Sequence, residues 1–310
     1  TAYMLSAQRA FTPSSPPRPT PSKSPQQTTR MRLMPLITHW RSKTAYEIGR
    51  TPNHIYLRPH LLLQSTIAHY TLWTASPIQP SAGGLLTLVP DASGCVVLHL
   101  TGACVSGTLW GATTRAVTVN SSPDEAPVRV FIEFLPGGLF QLTGMSQPSL
   151  TDGVFPLADL MPPFFAALVR LLETANQVEQ LVEGLDALLL PIMLARVTPP
   201  AALSAIATLK QAHGLLTMKA LSTTQHYSPR HLSRMLTHYL GICPKQFAQL
   251  LRINAAVRQF GSGLPLAYLA QESGFYDQAH FIREFKEVCA VTPGDYRRSM
   301  SDFYNEPLKF

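Results

Sequence analysis

Two sets of residues in this chain have types and spacing suited to recognising another molecule. Arg230 and Arg234 lie four apart; Ala279 and Arg283 also lie four apart, just after Gln278. Residues four apart share one face of a helix, so each set would project from a single side. A guanidinium can donate twice to the O6 and N7 of guanine, and a Gln amide can pair bidentately with adenine. Ala279 can touch a thymine methyl but offers no side-chain hydrogen bond. Lys245 and Lys286, with the backbone N–H groups at helix N-termini, are better suited to phosphates. Catalysis finds no comparable support. Gly-x-Ser-x-Gly and His-Glu-x-x-His are absent, and nothing supports a cysteine nucleophile. His39, His54, His60, His69 and His99 are scattered, and only a meeting of His69, His99 and Glu133 inside a barrel would make a metal site. We therefore expect no enzyme activity, no metal and no cofactor.

The elements that must position the two sets say nearly the same thing twice. Ser228 is a favoured helix N-cap, and Pro229 suits the first helical position, where a missing N–H costs nothing. Leu232, Met235, Leu236, Tyr239 and Leu240 then follow helical spacing and form one core face, leaving Arg230 and Arg234 opposite. In the second unit Leu266, Leu269 and Ala270 form a short supporting helix, and Gly274 supplies the left-handed residue that ends it. Asp277 caps the next helix, which Phe281, Phe285 and Val288 bury. One long helix, Pro244–Phe260, joins the units. Two helix-turn-helix units in tandem, each with a cationic second helix, point to a reader of the DNA major groove.

Charge agrees with this division. Residues 1–45 carry seven bases and no acid, 46–200 six bases and eleven acids, and 201–310 twelve bases and seven acids. A basic C-terminal block is the footprint of polyanion binding. The first 45 residues are rich in Pro, Ser, Thr and Gln, a composition that favours disorder; removal of residues 1–30 is expected to leave folding intact. From 46 to 160, short apolar runs (Leu85–Pro90, Val96–Leu100, Gly107–Trp110, Ala116–Val119, Val128–Phe134) alternate with turn residues, as in a β-sandwich or small barrel. The segment Leu61–Trp73 could be helix or strand, and Pro136–Gly138 reads as a plain strand turn. Residues 161–198 read as a helical linker broken near Pro191, with a boundary at Pro199-Pro200. The predicted class is α+β with two domains: a β-sandwich or barrel-like domain over 46–160 with its linker, and an all-α tandem helix-turn-helix over 199–300, followed by a tail over 301–310. Four separated cysteines and the lack of a secretory or membrane-spanning segment suit a cytoplasmic protein.

The second half resembles the AraC family of bacterial transcription regulators. The resemblance rests on Ser228-Pro-Arg-His-Leu-Ser-Arg, Gly241-Ile-Cys-Pro-Lys-Gln-Phe247, Arg252 with Ala255, Leu269-Ala270, Gly274-Phe275, His280-Phe-Ile-Arg-Glu-Phe-Lys286 and Val291-Thr-Pro-Gly-Asp-Tyr-Arg297. It implies two recognition helices in successive major-groove segments, with Arg230, Ser233 and Arg234 as the first base-facing set and Gln278, Ala279 and Arg283 as the second. The chain departs at His226, where the family commonly has Gly, at Ser222 for Ala, and at Leu236 for Phe. A non-Gly residue at 226 predicts an altered first turn. Leu88–Cys95, Phe134–Gly138 and Leu157–Leu160 resemble, more distantly, a β-rich domain found in some of these regulators.

The resulting expectation is a sequence-specific transcription regulator whose partner is double-stranded DNA. Its N-terminal domain would sense a small-molecule effector or dimerise, with RNA polymerase and a second copy of the chain as further candidate partners and no membrane. The alternatives are a constitutive DNA binder with a protein-interaction domain, and a cupin-like enzyme fused to a DNA reader.

Overall fold

Alternation of apolar and polar residues builds the first half of the protein. The structure, a computed structural model, describes residues 43–74, 85–101, 104–120, 127–196 and 198–299. The tail expected over 301–310 and nearly all of that expected over 1–45 lie outside the described residues. Strands β1 (Glu47–Arg50), β2 (His54–Leu57), β3 (Ile67–Thr74), β5 (Cys95–Leu100), β6 (Val105–Trp110), β8 (Val128–Phe134) and β9 (Val154–Pro156) form one antiparallel sheet in the order β1-β2-β3-β8-β5-β6-β9. Strands β4 (Leu85–Leu88) and β7 (Val117–Asn120) pair separately, Leu88 opposite Val117.

Register decides which face is buried against the helices. Ile132 lies opposite both Tyr70 and Val96, and Val130 opposite both Leu72 and Leu98. Directly opposed residues point to the same side, so these six side chains make one apolar surface. Helices α3 (Pro162–Thr174) and α4 (Val178–Leu194) cover it with Leu168, Leu172, Leu181, Val182, Leu185 and Leu189, all buried. Each such Leu contributes roughly 1.5–3 kcal/mol by leaving water. One carboxylate lies inside this layer. Asp186 of α4 accepts hydrogen bonds from the Tyr70 hydroxyl (2.8 Å) and the His60 N–H (3.0 Å), which pins the helix to the sheet. Burial, then the neighbouring Asp186 charge, raises the Tyr70 phenol above its ordinary range, so it stays a donor.

The β-rich domain followed by helices matches the expected class, with several local differences. Leu61–Trp73 resolves into a 3-10 turn, Leu61–Leu63, followed by β3. The Pro136–Gly138 turn is not a plain strand turn: Gly137, in the left-handed region at φ 88°, starts helix α1 (Gly138–Thr143). Helix α2 (Leu157–Leu160) is a single turn. Helix α4 is not broken at Pro191 but runs through it to Leu194. Pro191 frees only the carbonyl of Ala187, which sits on the exposed side where solvent can take it.

Everything from Pro200 to Ser299 is helical or turn: α5 (Pro200–Gln211), α6 (Met218–Gln225), α7 (Pro229–Leu240), α8 (Pro244–Arg258), α9 (Leu266–Glu272), α10 (Gln278–Cys289) and α11 (Pro293–Ser299). Their shared core joins Leu221, Leu232, Leu236, Phe247, Ile253, Phe281 and Phe285, and it takes in Ala92 and Ala112 from the β-rich half.

Candidate nucleic-acid interface

The first helix-turn-helix is α6, its turn and α7. Thr217 caps α6, its hydroxyl accepting from the Ala220 N–H at 3.2 Å. The helix ends at His226, which adopts the left-handed conformation itself at φ 56°. The turn expected to be altered by losing Gly therefore keeps its left-handed residue, at the strain cost a Cβ brings there. Ser222, the second departure, is buried and its hydroxyl donates to the Lys219 carbonyl at 2.8 Å, so it causes no unsatisfied group. Ser228 then caps α7, accepting from the His231 N–H at 3.2 Å.

Leu232, Leu236 and Leu240 anchor α7 underneath. Arg230 and Arg234 stand exposed on its outer side, and Ser233 is half-buried between them. Tyr227 stacks on His231 with ring centroids 5.0 Å apart, a flat exposed pair beside Arg230. The second unit repeats the construction with one more residue between the left-handed position and the cap. Gly274, at φ 74°, ends the supporting helix, and Asp277 accepts from the His280 N–H at 2.6 Å to start α10. Phe281 and Phe285 are fully buried, held by ring contacts with Phe275, Phe260 and Tyr296. Gln278, Ala279 and Arg283 are exposed on the other side, as are Lys286 in the last turn and Lys245 in the first turn of α8.

Each residue singled out from sequence for contacts is thus exposed on a helix except Ser233, which is half-buried, and each of the two sets lies on one helix. Helices offered in this way present long donors from a face anchored in the core, the layout by which such helices read base edges. Sequence patterning missed one exposed group: Tyr276, 93% exposed, directly precedes the cap of α10. No periodicity marks a turn residue, so only its aromatic type next to the cap could have drawn notice. Patterning also missed that the N-terminal half touches both α7 and α10 at their C-terminal ends. Thr151 donates to the Gly241 carbonyl (2.8 Å), and the Phe140 ring meets His238 and Tyr239 edge-on. At the other unit the Ala116 N–H donates to the Val288 carbonyl (2.9 Å). Among the described residues these contacts fall at the C-terminal ends of the two helices, away from the first turns that carry Arg230 and Gln278.

The conditional metal trio does not assemble. Strands β3 and β8 place His69 opposite Glu133, but His99 lies opposite Arg129 and Ser106. Among the described residues no group of three or more His, Cys, Asp and Glu is placed to hold a metal ion, and no helix is long and apolar enough to cross a membrane.

Comparison with known proteins places the double unit. A family model described as a helix-turn-helix domain matches residues 221–299. The chain is 30% identical over 86 residues to YisR of Bacillus subtilis strain 168, named an uncharacterized HTH-type transcriptional regulator. That match covers 27% of this chain and spans only 30% of the relative's length. Among solved structures, the C-terminal domain of AraT, a response regulator from Geobacillus stearothermophilus, is 26% identical at TM-score 0.33, covering 35% of this chain and 93% of that one. ToxT from Vibrio cholerae is 13% identical at TM-score 0.40, covering 71% and 91%.

Proposed function

We propose that this chain, whose residues 221–299 form a helix-turn-helix domain of the AraC type, is a sequence-specific DNA-binding transcription regulator acting in the cytoplasm. One observation carries the reading: two capped helices, buried on one side, each expose a donor set on their first two turns. In this account Arg230, Ser233 and Arg234 read one half-site. Gln278, Ala279 and Arg283 read the next, while Lys245 and Lys286 hold phosphates. The DNA-reading domain is taken as 199–300, the sensor or dimerisation domain as 46–160 and the helical linker as 161–198. Selection of binding sites from a random duplex pool by the full chain tests this directly. Recovery of a two-part motif supports it; recovery of no motif overturns it.

The N-terminal domain is proposed as the sensor of a small-molecule effector. Its sheet has a second face, turned from α3 and α4, on which Tyr56, His69, Thr71 and Glu133 are buried. The ring of His69 lies within 3.0 Å of the Thr71 hydroxyl and edge-on to Tyr56. Polar side chains set beside an aromatic ring are what orients a small molecule in an otherwise apolar site. The contacts at Gly241 and Val288 give such a domain mechanical access to both recognition helices. A candidate effector must change DNA affinity, and DNA must change effector affinity by the same factor. Effectors that bind with no such reciprocity would leave the constitutive, protein-interaction alternative. RNA polymerase and a second copy of the chain complete the proposed partners.

A further inference from the structure

The two helix-turn-helix units are joined by α8, and a single helix bends and rotates under load. A second connection runs beside it. The Arg252 guanidinium, on the middle of α8, donates through one terminal nitrogen to the Gly214 carbonyl (3.3 Å), in the turn between α5 and α6. Its other terminal nitrogen pairs with Glu284 of α10 (3.1 Å), and the group lies 5.4 Å over the Phe275 ring. One planar fork thus touches the connection that leads into the first unit and both the turn and the second helix of the second unit. The same two turns also meet directly. A Cβ on Gly274 would overlap the Leu215 side chain, so Leu215, in the connection leading into the first unit, packs where the second unit has no side chain at all. Gly274 therefore serves two needs, its φ of 74° and this close approach.

We infer that Arg252, with Leu215 seated on Gly274, is a latch that fixes the relative position of the two recognition helices and thereby the half-site spacing the protein accepts. Arg252 touches no DNA in this account; it is a positioning residue. The inference rests on the DNA-reading function proposed above. One base pair added between half-sites rotates the second by roughly 34° about the duplex, which a rigid pair of helices cannot follow.

The test uses the full chain and the duplex recovered by selection, together with duplexes carrying one base pair more or fewer between the half-sites. The wild type is expected to lose about tenfold or more in affinity on either altered duplex, since a displaced half-site forfeits its base contacts. Arg252→Gln is expected to lose at most about threefold relative to its own affinity for the selected duplex. Leu215→Ala, at a side chain 53% exposed and so safe for folding, is expected to shift the same way by a smaller factor. If both variants keep the wild-type spacing penalty, the latch is overturned, even if their overall affinity falls. If the wild type selects no motif, the DNA-reading function fails instead, a separate outcome.

Discussion

Replacing Gly241 by Ala should weaken the protein more than the same change at Gly263, and the difference measures how firmly the N-terminal domain grips α7. Both glycines lie in the left-handed region, at φ 83° and φ 78°. A Cβ in that conformation costs about 1–2 kcal/mol at either site. Among the described residues nothing lies within 4 Å of a Cβ placed on Gly263, so strain is its whole effect. At Gly241 the Cβ would overlap the Thr151 hydroxyl and stand 3.1 Å from the Gln147 carbonyl oxygen. Thr151 must then move, and its hydrogen bond to the Gly241 carbonyl is lost. That loss adds roughly 0.5–1.5 kcal/mol. Gly241→Ala is expected to cost about 2–3 kcal/mol in urea unfolding, and Gly263→Ala about 1 kcal/mol less. Thr151→Ala in the Gly241→Ala background should recover part of the loss, with a coupling near 1 kcal/mol in the cycle. Equal losses at the two glycines, or strict additivity with Thr151→Ala, would show that the docking at Gly241 holds nothing.

Arg283→Ala should weaken specific binding by roughly 1–3 kcal/mol and relax base preference at one position, read by competition among single-base variants of the selected duplex. Lys286→Ala should weaken all sequences alike and lower the salt-dependence slope by about 1; a change in sequence preference would contradict its phosphate role. The His54 imidazole is pushed down to about 4 by burial. The unfolded chain therefore takes up that proton first, and stability present above about pH 6.5 is lost as pH falls toward 4. The full shift corresponds to roughly 3 kcal/mol, reduced by the solvent reaching this half-buried ring. His54→Gln should flatten that part of the stability profile, and an unchanged slope would assign it to other groups. Burial pushes the Cys289 thiol up to about 12, whereas Cys104 is exposed. A thiol reagent should modify Cys104 in the native protein and leave Cys289 untouched until the chain unfolds.

The second half was legible because its signals are local. Caps at Ser228 and Asp277, the Gly274 turn and the apolar spacing of Leu232, Leu236, Phe281 and Phe285 each lie within a few residues of the element they define. Strand patterning likewise located β4 to β8, since alternation is visible in any short window. What stayed hidden depends on partners far along the chain. The helix at Gly138–Thr143 begins inside a Pro-Gly-Gly sequence that reads as a turn by composition, and its first residue has no side chain because the Thr66 carbonyl, 72 residues earlier, packs where a Cβ would stand. Pro191 looked like a break because its effect on α4 depends on which side of the helix loses its hydrogen bond. The sharpest case is Arg252. Its place in a sequence motif was evident, but its hydrogen bond to Gly214 and ion pair with Glu284, 38 and 32 residues away, appear only once the chain is folded.

The claim that matters most is that one chain reads two adjacent DNA segments with two helices. Hydroxyl-radical footprinting of the full chain on its selected duplex tests this most directly, with Arg230→Ala/Arg234→Ala and Gln278→Ala/Arg283→Ala as paired variants. The account predicts two protected patches on one face of the duplex, about one helical turn apart, with each double variant losing one patch and weakening the other. A single patch, or two patches abolished in the same way by either variant, would contradict it.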